Sequence, residues 1–205
     1  MSNVQAPLKF SQVVWSAAII LVVGSVLSLF VGDWTWFGSL GFWSIPLGAA
    51  LGAAIYSISY LLSTLPKLVS ASLRDLLQTL HHLFQDLSWL QIVILSLLAG
   101  IGEEMLIRGV MQSWLVSVTN PWIGIIGASL IFGLLHYMTK TYVLLTFALG
   151  MLFGLAFHFS NSLLLVMIAH TVYDIFAFAL IVKFPHMLGL SAQSSKISVI
   201  RESSF

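Results

Sequence analysis

The sequence predicts an all-α polytopic membrane protein, with about six transmembrane helices and one amphipathic helix at the membrane interface. Charged side chains make up only 7% of the chain, whereas a soluble domain carries about 25%. Hydrophobic residues make up 59%, and the mean hydropathy is +1.03. Several apolar runs reach the length of about 20 residues that a spanning helix needs. Open sheets are excluded in lipid because their edge backbone groups would stay unpaired.

The apolar runs set the order of the elements along the chain. Spans are predicted at residues 10–31, 40–65, 88–118, 122–138, 142–159 and 163–182. Residues 66–87 differ, because leucines recur there at helical spacing among charged residues, a pattern typical of a helix on the membrane surface. The chain therefore divides into a two-span region with this interfacial helix (1–87), a four-span core (88–183) and a cytoplasmic tail (184–205).

Short signals within the spans predict how helices begin and pack. Pro121 follows a Thr-Asn pair and is well placed to open the fourth span. Two Gly-x-x-x-Gly pairs, Gly48/Gly52 and Gly150/Gly154, predict close approach of neighbouring helices.

The basic residues of the loops fall on one side of the predicted bundle. With six spans, the segments on the N-terminal side of the membrane hold Lys9, Lys67, Arg74, Lys140, Lys183, Lys196 and Arg201, and the opposite loops hold no Lys or Arg. The positive-inside rule then places both termini in the cytoplasm.

Composition also excludes several functional classes. A net charge of +1 gives no basis for binding nucleic acid. The chain has no cysteine, which excludes disulfides, cysteine–zinc sites and cysteine nucleophiles. The lipid bilayer is the partner that this composition requires.

The third span holds three charged side chains, Glu103, Glu104 and Arg108. A charged side chain at the bilayer centre costs roughly 2.5–3.5 kcal/mol on insertion scales. Glu104 and Arg108 are four residues apart, so they are predicted to form an internal ion pair on one helix face. Glu103 is left without a sequence-local cation, which suits a general base that takes a proton from water.

Two later spans add further polar groups, His136 in the fourth and the pair His170 and Asp174 in the sixth. Such groups are expected to face the bundle interior. Glu103 with His136 would activate water, and His170 with Asp174 would stabilise the developing oxyanion. Asp174 could fix the tautomer of His170, which lies four residues before it, or both side chains could point into a common cavity. The set is sufficient for hydrolysis of a peptide bond.

The order of these residues resembles one family. Glu103-Glu104-x-x-x-Arg108, Phe132-x-x-x-His136 and His170-x-x-x-Asp174 are similar to the motifs of the CAAX protease and bacteriocin-processing family, also called ABI-type or type II CAAX intramembrane proteases. The resemblance covers residues 88–183.

The resemblance implies an all-helical membrane protease whose site is reached from the cytoplasmic side and whose substrate is a protein or peptide. It implies that Glu103 is the catalytic base, that His136 assists it, and that His170 and Asp174 stabilise the oxyanion. Prenyl-protein proteases often have asparagine at the position of Asp174, and this departure favours a metal-ligand or His-orienting role for Asp174 over an oxyanion role. The chain is also shorter than the eukaryotic enzymes, with six predicted spans, which argues against a prenyl-CAAX substrate. No cofactor is certain. If zinc were bound, Glu103, His136 and His170 would be its ligands.

Three further expectations follow from the same residues. Phe132 is expected to pack beneath His136, and His158, which has no motif partner, is expected to be structural. Residues 88–91 should lie at the membrane surface, with a cytoplasm-facing cavity reaching down to Glu103.

The alternatives to a protease are a non-catalytic immunity or scaffold protein of the same family and a small-solute carrier.

Overall fold

The computed structural model describes residues 8–30, 36–65 and 71–190, and within these ranges the chain forms helices without a β-sheet. The predicted all-α polytopic membrane fold is confirmed. The α-helices are α1 (Phe10–Ser28), α2 (Ser44–Thr64), α3 (Ala71–Phe84), α4 (Trp89–Glu104), α5 (Ser113–Val118), α6 (Pro121–Leu135), α7 (Lys140–Ser160) and α8 (Leu163–Lys183). A π-helical segment, Met105–Gln112, joins α4 to α5, and 3₁₀ turns cover Gly38–Trp43 and Pro185–Leu188.

Five helical stretches in the described ranges are long and apolar enough to cross a membrane. The third of them, Trp89–Val118, is a continuous rod made of α4, the π segment and α5. At about 1.5 Å per residue its 30 residues reach about 45 Å, so the rod must tilt or begin in the interface.

The fourth predicted span is shorter than expected. It is predicted to run to Met138, but α6 ends at Leu135 and spans 15 residues, about 22 Å. The backbone leaves helical geometry at His136, whose φ and ψ are −92° and 22°. The cause is local, because the His136 ring bonds a carbonyl of the last turn, as described below.

Polar caps fix where the helices of the core begin. Ser88 and Gln91 form a reciprocal capping box at the start of α4, with distances of 3.3 Å and 2.8 Å. Asn120 caps α6, and Pro121 occupies its first turn, as predicted. Thr139 and Ser162 cap α7 and α8 in the same way.

Glycine allows close helix approach between α2 and α8. A Cβ atom on Gly48 would lie 2.5 Å from the carbonyl oxygen of Leu165, and one on Gly52 would lie 2.3 Å from that of Ala169. No larger residue fits at either position, so the packing predicted from this glycine pair is confirmed. Elsewhere α8 packs on α4, α1 flanks α4 and the π segment, and α6 packs on α7.

Hydrogen bonds between elements show which helix ends share a side of the bundle. The Leu8 amide donates to the carbonyl of Leu83, and the Lys183 ammonium donates to that of Leu87. The starts of α1 and α4 and the ends of α3 and α8 therefore lie together. At the opposite end, Ser44 and Ser162 bond each other, with 2.8 Å between their Oγ atoms.

The interfacial helix, predicted over residues 66–87, is α3. Its polar residues Ser72, Arg74, Asp75 and Thr79 are exposed, whereas Leu76 and Leu83 are buried. Residues 66–70 lie outside the described ranges, as do residues 1–7, 31–35 and 191–205.

Candidate active site

Three spans bring their polar side chains together at Glu103. Its Oε2 atom lies 3.7 Å from Nε2 of His136 and 3.9 Å from Nε2 of His170. The Oε2 atom is buried and accepts no hydrogen bond from the part of the chain that the structure describes. A buried carboxylate oxygen without a donor is costly unless something else bonds it. The space between Glu103 and the two imidazoles is therefore suited to a water molecule or a substrate group.

The end of α6 orients His136. Its Nδ1 lies 2.9 Å from the Phe132 carbonyl oxygen, one of the acceptors that the helix end leaves without a backbone partner. Because a carbonyl only accepts, Nδ1 carries the hydrogen and Nε2 is directed at Glu103. The ring of Phe132 lies 4.5 Å from the imidazole, and the ring of Tyr142 meets it edge-on at 6.0 Å.

Glu104, rather than Asp174, holds the Nδ1 side of His170. Nδ1 donates to Oε1 of Glu104 at 2.9 Å, so Nε2 faces the cavity. Asp174 lies on that opposite side, with Oδ2 3.6 Å from Nε2. The ring of Phe153 stacks on the imidazole at 5.1 Å and 22°. Of the two arrangements open for Asp174 in the sequence, the structure has the one that points it into the cavity.

The predicted ion pair is present, and it is linked to the site. Oε2 of Glu104 lies 3.2 Å from Nε of Arg108, and both side chains are 0% exposed. Arg108 Nη2 also donates to the Gly150 carbonyl at 2.9 Å, and its guanidinium lies 5.0 Å from the centre of the Phe132 ring. Glu104 thus connects Arg108, which is hydrogen-bonded to α7, with His170 of the candidate site. Helical spacing alone does not indicate this connection.

The π segment follows directly after the two glutamates. It carries Arg108 and Gln112, and Gln112 donates to the Gly154 carbonyl at 3.0 Å. A Cβ atom on Gly154 would lie 2.9 Å from Oε1 of Gln112, and one on Gly150 would lie 3.1 Å from Cβ of Ser129. The second glycine pair therefore permits close packing, as predicted, and it also exposes two carbonyls to side chains. Short π segments often occur at functional sites.

A cavity of about 350 Å³ opens onto the candidate site. Glu103, His136, His170 and Asp174 form its polar floor. Apolar side chains of α1 and α3, among them Ile20, form much of the remaining wall. A cavity that reaches Glu103 was expected, but the contribution of α3 to its wall was not.

The donor types Glu103, His136 and His170 correspond to the His₂Glu set of some catalytic zinc sites. Within residues 8–30, 36–65 and 71–190, however, no three His, Asp or Glu side chains are grouped so that they could hold a metal ion. Zinc binding by these three residues stays a prediction from their donor types.

The fold and this cluster define a multi-pass membrane protein with a candidate hydrolytic site at the floor of a cavity. Residues 85–176 match the family described as type II CAAX prenyl endopeptidase Rce1-like. All residues of the three motifs fall within this match. The resemblance drawn from the motifs is thereby confirmed over this segment.

One curated relative is the uncharacterized protein YpbD of Bacillus subtilis (strain 168), which is 36% identical over 109 residues. The alignment covers 51% of this chain and 52% of the relative, so the chain spans about half the length of the protein that it matches. No solved structure is similar enough to count as a match.

Proposed function

We propose that the protein is an intramembrane endopeptidase that hydrolyses a peptide bond with water activated by Glu103. The observation that carries this proposal is the buried Oε2 atom of Glu103, which accepts no hydrogen bond from the described residues and has the Nε2 atoms of two histidines 3.7 Å and 3.9 Å away. A water molecule between Glu103 and His136 would lie within hydrogen-bond reach of both.

The chemistry follows from that position. Glu103 accepts a proton from water, and the oxygen forms a bond to the carbonyl carbon of the substrate. The resulting tetrahedral intermediate collapses as the carbon–nitrogen bond breaks. Glu103 returns its proton to the leaving amine, so the carboxylate is regenerated and one water is consumed. His136 holds the water through Nε2, because its Nδ1 is committed to the Phe132 carbonyl.

In this proposal His170 and Asp174 stabilise the oxyanion. Glu104 occupies Nδ1 of His170, so a doubly protonated ring would donate from Nε2 into the cavity. Asp174 donates only when it is protonated. The proposed substrate is a peptide or a protein, in keeping with the protease family matched by residues 85–176.

The proposed topology places the cavity mouth and both termini in the cytoplasm. Four basic residues of the described ranges lie outside the spans or at their ends. All four belong to one end of the bundle: Lys9, Arg74, Lys140 and Lys183. Lys183 and the starts of α1 and α4 are joined there by hydrogen bonds, and α3 contributes to the cavity from that end. The positive-inside rule assigns this end to the cytoplasm.

The His136→Ala substitution should lower kcat for peptide cleavage about 10²-fold, the lower limit for loss of a general acid–base partner. The measurement is cleavage of membrane-inserted peptides by the purified protein in vesicles, followed by mass spectrometry. His158→Ala is the matched control, because His158 is also in a spanning helix but is exposed and away from the cavity.

Undiminished cleavage by the His136→Ala protein would contradict the assigned role. A parallel arm contains a zinc chelator, and cleavage should persist in it because no step of the proposal uses a metal. If the wild-type protein cleaves no peptide at all, the chain keeps the family scaffold without the activity, as an immunity or scaffold protein would.

A further inference from the structure

The amphipathic helix α3 covers the cavity that leads to Glu103. Fourteen residues long, it measures about 21 Å and is too short to span a membrane. Its apolar face forms part of the cavity wall through Leu73, Leu76, Leu77, Leu80 and Phe84. Its opposite face is polar and includes the exposed residues Arg74, Asp75 and Thr79. A surface helix is therefore the outer wall of the candidate active site.

The two ends of α3 are held differently. At the C-terminal end, the carbonyl of Leu83 accepts from the Leu8 amide, and His81 Nδ1 lies 2.8 Å from the Ile181 carbonyl oxygen. The ring of Phe84 packs edge-on against Phe178 at 5.2 Å, and Leu83 is 5% exposed. This end continues through a short turn into the capping box of α4, so it is anchored.

At the N-terminal end, α3 is attached to the start of α7. Ser72 Oγ and Thr141 Oγ1 form a hydrogen bond of 2.6 Å between side chains that face the exterior. Thr141 directly precedes Tyr142, whose ring contacts His136. A hydrogen bond between exposed hydroxyls adds little to stability because water competes for both partners. Among the contacts of the described residues, the one nearest the candidate site is thus weaker than the packed contacts at the C-terminal end.

We propose that α3 is a lid that pivots about its anchored C-terminal end and separates from α7 to admit the substrate. This inference rests on the proposed function, since it names how a peptide reaches Glu103. An isolated helix of this length is marginal in water, so α3 keeps its helical form by resting on an apolar surface. The apolar side chains of an entering peptide would replace the contacts that its leucines make with the cavity.

The test uses the absence of cysteine from the chain. A Ser72→Cys/Thr141→Cys protein can form one disulfide, which closes the proposed lid against α7. A Ser44→Cys/Ser162→Cys protein is the matched control, because its Oγ atoms are 2.8 Å apart at the opposite end of the bundle. Each oxidised protein is compared with its own reduced form, so the effects of the substitutions themselves cancel.

The oxidised Ser72→Cys/Thr141→Cys protein should cleave a membrane peptide at least about 10-fold more slowly than its reduced form, and reductant should restore the rate. The control pair should cleave equally in both forms. Equal rates for the lid pair, with the disulfide verified by mass spectrometry, would overturn the lid while leaving the protease proposal intact.

A second readout separates failure of the lid from failure of the function. Leu76 is 2% exposed on the inner face of α3, and Ile92 is 0% exposed in α4. In vesicles, a cysteine at Leu76→Cys should react with a maleimide much faster than one at Ile92→Cys, because opening of the lid uncovers it. Equally slow labelling at the two positions would overturn the lid whether or not any peptide is cleaved.

Discussion

Glu103→Gln should abolish peptide cleavage and leave the fold intact. Glutamine keeps the size of the side chain but cannot accept the proton from water, so the expected loss in kcat is about 10²–10⁴-fold. The substitution leaves the pair of Glu104 and Arg108 in place. Helix content and the thermal unfolding midpoint should therefore match those of the wild-type protein.

Asp75→Asn is the control for Glu103→Gln. It also removes one carboxylate, but Asp75 is exposed on the polar face of α3, outside the cavity. Its kcat should stay within about twofold of wild type, as expected for a surface substitution. A Glu103→Gln protein that cleaves within tenfold of the wild-type rate would remove Glu103 from the mechanism, and the fold would then be a scaffold for another activity.

Arg108→Met should destabilise the protein more than any exposed substitution. Removing one partner of a buried ion pair leaves an uncompensated charge and costs about 3–5 kcal/mol. Arg108 also donates to the Gly150 carbonyl, and that contact is lost as well. Hydrogen bonds between membrane helices average only about 0.6 kcal/mol, so the expected loss comes mainly from the buried carboxylate of Glu104, which loses its cation and keeps only the bond from His170.

A double substitution separates charge from positioning. Glu104→Gln/Arg108→Met removes both charges, and it should regain part of the unfolding free energy lost in Arg108→Met alone. It should not regain cleavage, because His170 loses the carboxylate that holds its Nδ1. Unfolding in detergent micelles measures the first effect and kcat the second. Arg74→Met, at an exposed position, is the control, and an equal stability of Arg74→Met and Arg108→Met would contradict the prediction.

Much of the fold could be predicted because lipid leaves few alternatives. Apolar runs of sufficient length specify the spans, and glycine pairs specify close contacts such as that between Gly48 and Leu165. The end of α6 could not be predicted in this way. Hydropathy continues past Leu135, but the His136 side chain bonds a carbonyl of the last turn and ends the helix there.

The candidate site was partly visible in the sequence because polar groups in apolar spans are conspicuous. Residues four apart, such as Glu104 and Arg108, share a helix face, and the structure pairs them. Contacts between helices have no such local signal. The bond from Glu104 to His170 and the stacking of Phe153 on that ring depend on how α4, α7 and α8 pack.

Two larger features also lay beyond sequence reasoning. The π segment has no spacing that separates it from an α-helix, yet it sets the directions of Arg108 and Gln112 toward α7. The amphipathic pattern of α3 indicated an interfacial helix, and an apolar face of this kind fits lipid as well as it fits protein. Only the tertiary structure shows that this face lines the cavity.

The source of the oxygen in the product tests the central claim most directly. Cleavage is carried out under single-turnover conditions in water enriched in ¹⁸O and stopped with acid. The masses of the product and of the protein are then both measured by mass spectrometry. Activation of water by Glu103 predicts one ¹⁸O atom in the new carboxyl terminus and a protein of unchanged mass. A peptide attached covalently to the protein, or ¹⁸O found in the Glu103 carboxylate, would contradict it.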